Sequence, residues 1–145
     1  MDFPYATMPV KPDSAFPHRT VIKRPLLRVT LRYNDRSFST RAIVDSGADF
    51  CLFPASVATQ LGVAIPNPKA TPFSGTADAP QIAYFETVQA TIGNGQPDGT
   101  PLTFDLYAGF CETLEHVGLG LLGQESFFSR FIVSFHHSQN LIRIE

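Results

Sequence analysis

An all-β fold with one or two short helices is expected from three observations. Apolar and polar residues alternate with a period of two over Leu26 to Arg32 and Leu102 to Phe110, and Phe38 to Val44 follows the first of these as a returning strand. Ten Gly and twelve Pro punctuate the chain at short intervals, as many short strands joined by turns require. Only two stretches, 54 to 61 and 124 to 130, offer helical spacing.

Taken in order, residues 1 to 20 carry Pro4, Pro9, Pro12 and Pro17, so they are expected to form an extended or loosely packed arm ahead of one domain over 21 to 145. From Leu26 the side chains of Leu27, Val29 and Leu31 share one face, Asn34 and Asp35 supply a turn, and Phe38 to Val44 returns as the second strand of a hairpin. Pro54 suits the start of a short helix that Gly62 ends, with Val57, Ala58 and Leu61 on its apolar face. Thr71 to Pro80 is small, polar and Gly/Pro-containing, and reads as a hairpin tip before strand spacing resumes near Ile82 and continues over Val88 to Ile92. Leu102, Phe104 and Leu106 mark the next strand face. A helical turn or two over 124 to 130 and strands at Phe131 to Phe135 and Leu141 to Ile144 complete the chain. Phe127, Phe128, Phe131 and Phe135 are expected to pack in the core.

Composition narrows the function. With 145 residues, 43% of them hydrophobic, thirteen Phe and no Trp, the chain can bury one sizeable core in which Phe predominates. The formal charge is −2 and no Lys/Arg block interrupts it, which argues against nucleic acid as a partner. No apolar run reaches membrane-span length, and Met1 to Val10 lacks the basic start and apolar centre of a signal peptide. A soluble, cytoplasmic chain with no membrane partner is therefore expected. Cys51 and Cys111 have no C-x-x-C spacing and read as buried, inert thiols rather than a disulfide. His18, His116, His136 and His137 lie on separate segments without ligand spacing, so neither a metal nor a cofactor is expected.

The chemistry concentrates at Asp45-Ser46-Gly47-Ala48. An apolar strand, Ala42-Ile43-Val44, delivers Asp45 to a sharp turn, and the small Ala48 leaves room beside the carboxylate. About seventy-five residues on, Leu119-Gly120-Leu121-Leu122-Gly123 precedes the second helical stretch. An Asp-Ser-Gly-Ala loop followed at that remove by two apolar residues and Gly resembles the retropepsins, single-domain aspartic proteases of retroviral and bacterial type. The resemblance covers roughly residues 22 to 145. Less specific matches are Arg24-Pro25-Leu26, Asp49, and the flap-like segment from Phe73 to Pro80.

The resemblance implies a retropepsin-like acid-protease barrel completed by homodimerisation, acting as an aspartic endopeptidase on polypeptide substrates. Two carboxylates sharing one proton are needed, yet the chain has one such loop, so Asp45 from each of two copies would form the dyad. It further implies that Ser46 directs its hydroxyl to the opposing loop and that Gly47 offers backbone groups to the carboxylate and substrate. Asp49 would bind substrate backbone or meet Arg24 of the other chain, and Phe73, Ser74, Gly75 and Thr76 would form the flap tip. Retroviral members usually place Arg after their apolar-apolar-Gly strand, where this chain has Gln124 and Glu125. The internal ion pair with Asp49 is therefore absent. Two rival readings are a retropepsin-like binding or dimerisation module without proteolysis, and an unrelated β-barrel that binds a small ligand.

Overall fold

Period-two alternation becomes strand along most of the chain in the computed structural model, which describes residues 1–74, 80–93, 95, 97 and 99–145. In chain order the strands are β1 (Asp2–Pro4), β2 (Ala6–Pro9), β3 (Val21–Arg24), β4 (Leu26–Tyr33), β5 (Arg36–Val44) and β6 (Cys51–Pro54). They continue as β7 (Ala70–Phe73), β8 (Gln81–Ile92), β9 (Leu102–Cys111), β10 (Gly120–Leu122), β11 (Val133–His136) and β12 (Leu141–Ile144). The helix α1 (Ala55–Leu61) buries Val57, Ala58 and Leu61, and Gly62 ends it in the left-handed region at φ 75°, a conformation that glycine adopts without a Cβ penalty. Among the described residues no helix is long and apolar enough to cross a membrane.

Six strands close a barrel in the order β4-β5-β10-β6-β9-β8, and β8 returns to β4 through the pairs Val29↔Ile92 to Arg32↔Gln89. Closure removes open edges. The fold is all-β, as expected. The β4–β5 hairpin runs in register from Leu26↔Ile43 to Tyr33↔Arg36 and turns at Asn34 with φ 54°. β8 is one unbroken strand, as the spacing that resumes near Ile82 and continues over Val88 to Ile92 suggested, and β7 pairs with it from Ala70↔Tyr84 to Phe73↔Gln81. Of the tip expected over Thr71 to Pro80, the first residues to Phe73 are strand and residues 75–79 lie outside the described residues.

The core is aromatic and aliphatic, with Phe53, Phe110 and Phe127 among its largest fully buried side chains. Phe127 meets the rings of Phe104, Phe128 and Phe131 at centroid distances of 6.1, 5.5 and 5.5 Å, within the range where aromatic pairs attract. Phe135 departs from the expected core role and is 41% exposed. It stands opposite buried Ile142, but on β11, the outer strand of the sheet β1-β12-β11, where the core no longer covers it.

Two further expectations hold in part. Residues 124 to 130 do make a short helical turn, closed by Phe128 N–H to Gly123 O (3.2 Å) and Ser129 N–H to Gln124 O (2.9 Å), but it is interrupted at Glu125 (φ −68°, ψ 130°) and Ser126 (φ 74°). The amides of Gln124 and Glu125, which have no partner within the turn, donate to the Ala48 and Asp49 carbonyls. The stretch at the N-terminus is extended as its prolines require, but its first residues are not loose. β1 pairs with β12, and Phe3 and Tyr5 are buried. β2 pairs with β3, from Ala6↔Arg24 to Pro9↔Val21, so hydrogen bonding crosses residue 20.

Candidate active site

The loop carrying Asp45 is held by strands on both sides of it. β5 ends at Val44, whose amide donates to Pro25 O at 2.9 Å, and the Asp45 amide donates to Leu122 O at 3.0 Å. β10 lies parallel to β5 (Leu122↔Val44) and antiparallel to β6 (Leu121↔Leu52). The Leu-Leu-Gly segment therefore threads between the strand that enters the loop and the strand that leaves it. Beyond it, Gln124 and Glu125 amides donate to Ala48 O (2.8 Å) and Asp49 O (2.9 Å), and Gln124 Nε2 donates to Ser46 O at 3.0 Å. Three carbonyls of the loop are thus tied to one short segment.

Within the loop, Ala48 N–H donates to Asp45 O (3.2 Å), closing the turn, and Gly47 N–H donates to Asp45 Oδ1 (2.9 Å). The second bond orients the carboxylate from its own backbone. A Cβ at Gly47 would stand 3.2 Å from Asp45 Oδ1, so glycine gives that amide and carboxylate an unobstructed approach. Asp45 and Ala48 are half-buried, whereas Ser46, Gly47 and Asp49 are exposed.

Cys51 supports the loop from below. Gly123 N–H donates to its sulfur at 3.3 Å, and the thiol donates to Glu125 O at 3.2 Å. Cys51 and Cys111 are both buried and free, as their spacing suggested. Burial pushes the Cys51 thiol up to about 11 from an ordinary 9.0, although backbone hydrogen bonds partly offset this. The raised value means the folded state favours the protonated thiol. Its contribution to stability is complete below the unfolded value and is lost as pH climbs from 9 toward 11. At about 1.4 kcal/mol per pH unit this amounts to roughly 2–3 kcal/mol. Urea unfolding at increasing alkaline pH should therefore show a steeper loss of stability in the native chain than in Cys51→Ala. Parallel slopes would remove this role from Cys51.

The carboxylate opens on a cleft of about 420 Å³. Asp45, Gly47, Ala48 and Asp49 form one side, and Phe73, Ser74 and Gln81 contribute from the β7–β8 hairpin. Phe50, Leu52 and Leu121 line it as well, continuous with a small apolar cluster that includes Ala83, Phe85 and Cys111. The remaining wall, Thr113, Leu114, His116 and Val117, was not singled out from the sequence as part of a site. Its one sequence signal is the three-residue spacing of Leu114 and Val117 just before the Leu-Leu-Gly segment. Thr113 Oγ1 donates to Gln81 Oε1 (3.1 Å), and Glu115 accepts the Ser56 amide at the start of α1. These two bonds hold the wall against both the hairpin and the helix.

The remaining site residues are less gathered. Arg24 ends β3, exposed, next to Pro25, and among the described residues neither Arg24 nor Asp49 enters an ion pair. Gly75 and Thr76, assigned to the flap tip, lie outside the described residues. His116 lines the cleft while His136 and His137 sit beyond β10, and no group of His, Cys, Asp or Glu among the described residues could hold a metal. A scan against protein-family models matches none to this chain, and a search of the curated proteins finds no match.

Proposed function

We propose that this chain is one protomer of a retropepsin-like aspartic endopeptidase in which Asp45 of two copies forms the catalytic dyad. The observation that carries the reading is the Asp45 carboxylate, oriented by its own loop and opening on a peptide-sized apolar cleft. One carboxyl group cannot be base and acid in the same step. Two of them a few Å apart share a proton, because both cannot ionise at that distance. The ionised Asp45 would take a proton from the attacking water, and its protonated counterpart would donate to the carbonyl oxygen as negative charge develops there.

Two-fold symmetry supplies the second carboxylate without a second motif. The exposed Ser46 is available to hydrogen-bond the opposing loop, and its own carbonyl is already held by Gln124 Nε2. Gln124 therefore steadies the loop by a neutral hydrogen bond where retroviral members use an ion pair. Phe73 and Ser74, on the hairpin side of the cleft, would cover bound substrate and exclude water.

The dyad makes activity depend on assembly. At concentrations well below the dimer dissociation constant, the rate of cleavage of an unstructured peptide should rise with the square of chain concentration, then become linear once dimer predominates. Assays from pH 4 to 7 are appropriate for a shared-proton pair. A rate linear in chain throughout, in a chain that sediments as monomer, would rule out the dyad. No cleavage by a chain that sediments as dimer would favour the non-catalytic module instead.

A further inference from the structure

The β2–β3 ribbon is at most half-covered on one face, where Ala6, Met8, Val10 and Ile22 are half-buried, and exposed on the other. It pairs only with itself, and none of residues 6 to 24 is buried. Two-stranded ribbons in water are marginal unless they pack on something. Its tip is nonetheless organised. Asp13 Oδ1 accepts the amides of Ala15 (3.0 Å) and Phe16 (2.8 Å), Arg19 N–H donates to Phe16 O (3.2 Å), and the Arg19 guanidinium sits 4.5 Å over the Phe16 ring. Lys23 Nζ is held by Thr7 Oγ1 at 2.7 Å. Phe16 and Val21 are left 53% and 50% exposed on this preformed surface.

Charge indicates what the ribbon fits. Residues 6 to 24 contain Lys11, Arg19, Lys23 and Arg24 against Asp13 alone, a net +3 that leaves −5 on the rest of a chain whose total is −2. The opposite charge gathers around the cleft. Asp45 and Asp49 line it, Glu125 lines the adjoining hollow with Ser46 and Phe128, and no Lys or Arg lines either among the described residues. The ribbon leaves the barrel at Pro25, whose carbonyl takes the Val44 amide one residue before Asp45. A basic arm thus springs from the border of an acidic face that it does not cover in its own chain. At about 3.3 Å per strand residue, Val21 at the tip end of β3 stands roughly 10 Å along the strand from Arg24. Adjacent patches of opposite sign and related by two-fold rotation are self-complementary.

We propose that the β2–β3 ribbon is an interface arm that lies against the acidic cleft face of a second copy of this chain. The inference rests on the dimeric reading above, and it adds a contact that the dyad itself does not require. Lys11, Arg19 and Lys23 supply the charge and Phe16 the apolar contact, set against Glu125 and Asp49 of the other copy.

The test is sedimentation equilibrium of the whole chain and of a Lys11→Glu, Arg19→Glu, Lys23→Glu triple variant, at low and high salt. The three positions are exposed, and circular dichroism checks that the variant keeps its fold. The variant should dimerise at least about 10-fold more weakly, and the gap should shrink with salt as exposed charges are screened. Mixing the triple variant with Glu125→Lys should restore heterodimer. Equal affinity of the native chain and variant, or a native chain that stays monomeric, would overturn the arm. The two readings fail separately. A native dimer with Asp45-dependent cleavage that charge reversal leaves unchanged defeats the arm alone. A dimer weakened by reversal, without any cleavage, defeats the protease and keeps the arm.

Discussion

Asp45→Asn should lower peptide cleavage by about 10³-fold or more, the scale expected when an acid–base group is removed from the reacting atoms, while leaving the fold intact. The substitution nearly preserves size, and the amide oxygen can still accept the Gly47 N–H that now bonds Oδ1 at 2.9 Å. The backbone bonds from Asp45 to Leu122 and from Ala48 to Asp45 do not involve the side chain. What disappears is the ability to exchange a proton. Because the proposed dyad needs both copies, an equimolar mixture with the native chain should also fall below half activity once subunits exchange. Cleavage that survives the substitution, in protein with a native unfolding midpoint, would take the chemistry away from Asp45.

Gly123→Ala should be the most damaging small substitution in the chain, destabilising it by about 3 kcal/mol or more as an overpacked site with no rotamer to yield. A Cβ there would lie 2.3 Å from Phe50 O and 2.6 Å from Ala48 O, and both are backbone atoms. The conformation of Gly123 (φ −107°, ψ −165°) is open to any residue, so the effect is purely one of space. Relief requires moving β10 away from the Asp45 loop, which also stretches the Gln124 N–H bond to Ala48 O. Gly93→Ala, with nothing within 4 Å of its added Cβ, is the control and should change little. The difference between the two urea midpoints measures the close approach. A Gly123→Ala midpoint near the control's would mean that the segment passes less tightly beneath the loop.

Both predictions concern one junction, and its parts differ in how visible they were in the sequence. Asp45, Ser46, Gly47 and Ala48 stood out because the apolar run Ala42-Ile43-Val44 leads directly into turn residues, and that signal is local. The hairpin ending at Val44 was legible for the same reason, with Asn34 and Asp35 placed to turn it. The Leu-Leu-Gly segment stood out through a family resemblance rather than through strand spacing. Its strand, Gly120–Leu122, is too short for a period, and it is strand because Ala42, Ile43 and Val44 pair beside it.

β6 illustrates what was missed. Cys51–Pro54 is buried along its whole length, so it shows no alternation, and its partners are residues 108 to 111 and Leu121. A fully buried strand of four residues cannot be distinguished locally from the start of the helix that follows it. The cleft wall at Thr113 to Val117 was missed because its position depends on bonds to Gln81 and Ser56, distant in sequence.

By itself, then, the sequence determined the all-β class, the β4–β5 hairpin, the extent of α1 with its glycine stop, and the residue on which the proposed chemistry depends. Each is written in nearest-neighbour terms: side-chain period, turn chemistry and helix termination. The tertiary structure alone decided that six strands close into a barrel, that Gly123 passes within contact of the loop's carbonyls, and that residues 1 to 20 divide between a core strand and a half-covered ribbon. Those outcomes depend on pairings between residues tens of positions apart, where burial and hydrogen bonding to a distant partner override the local preference of either segment.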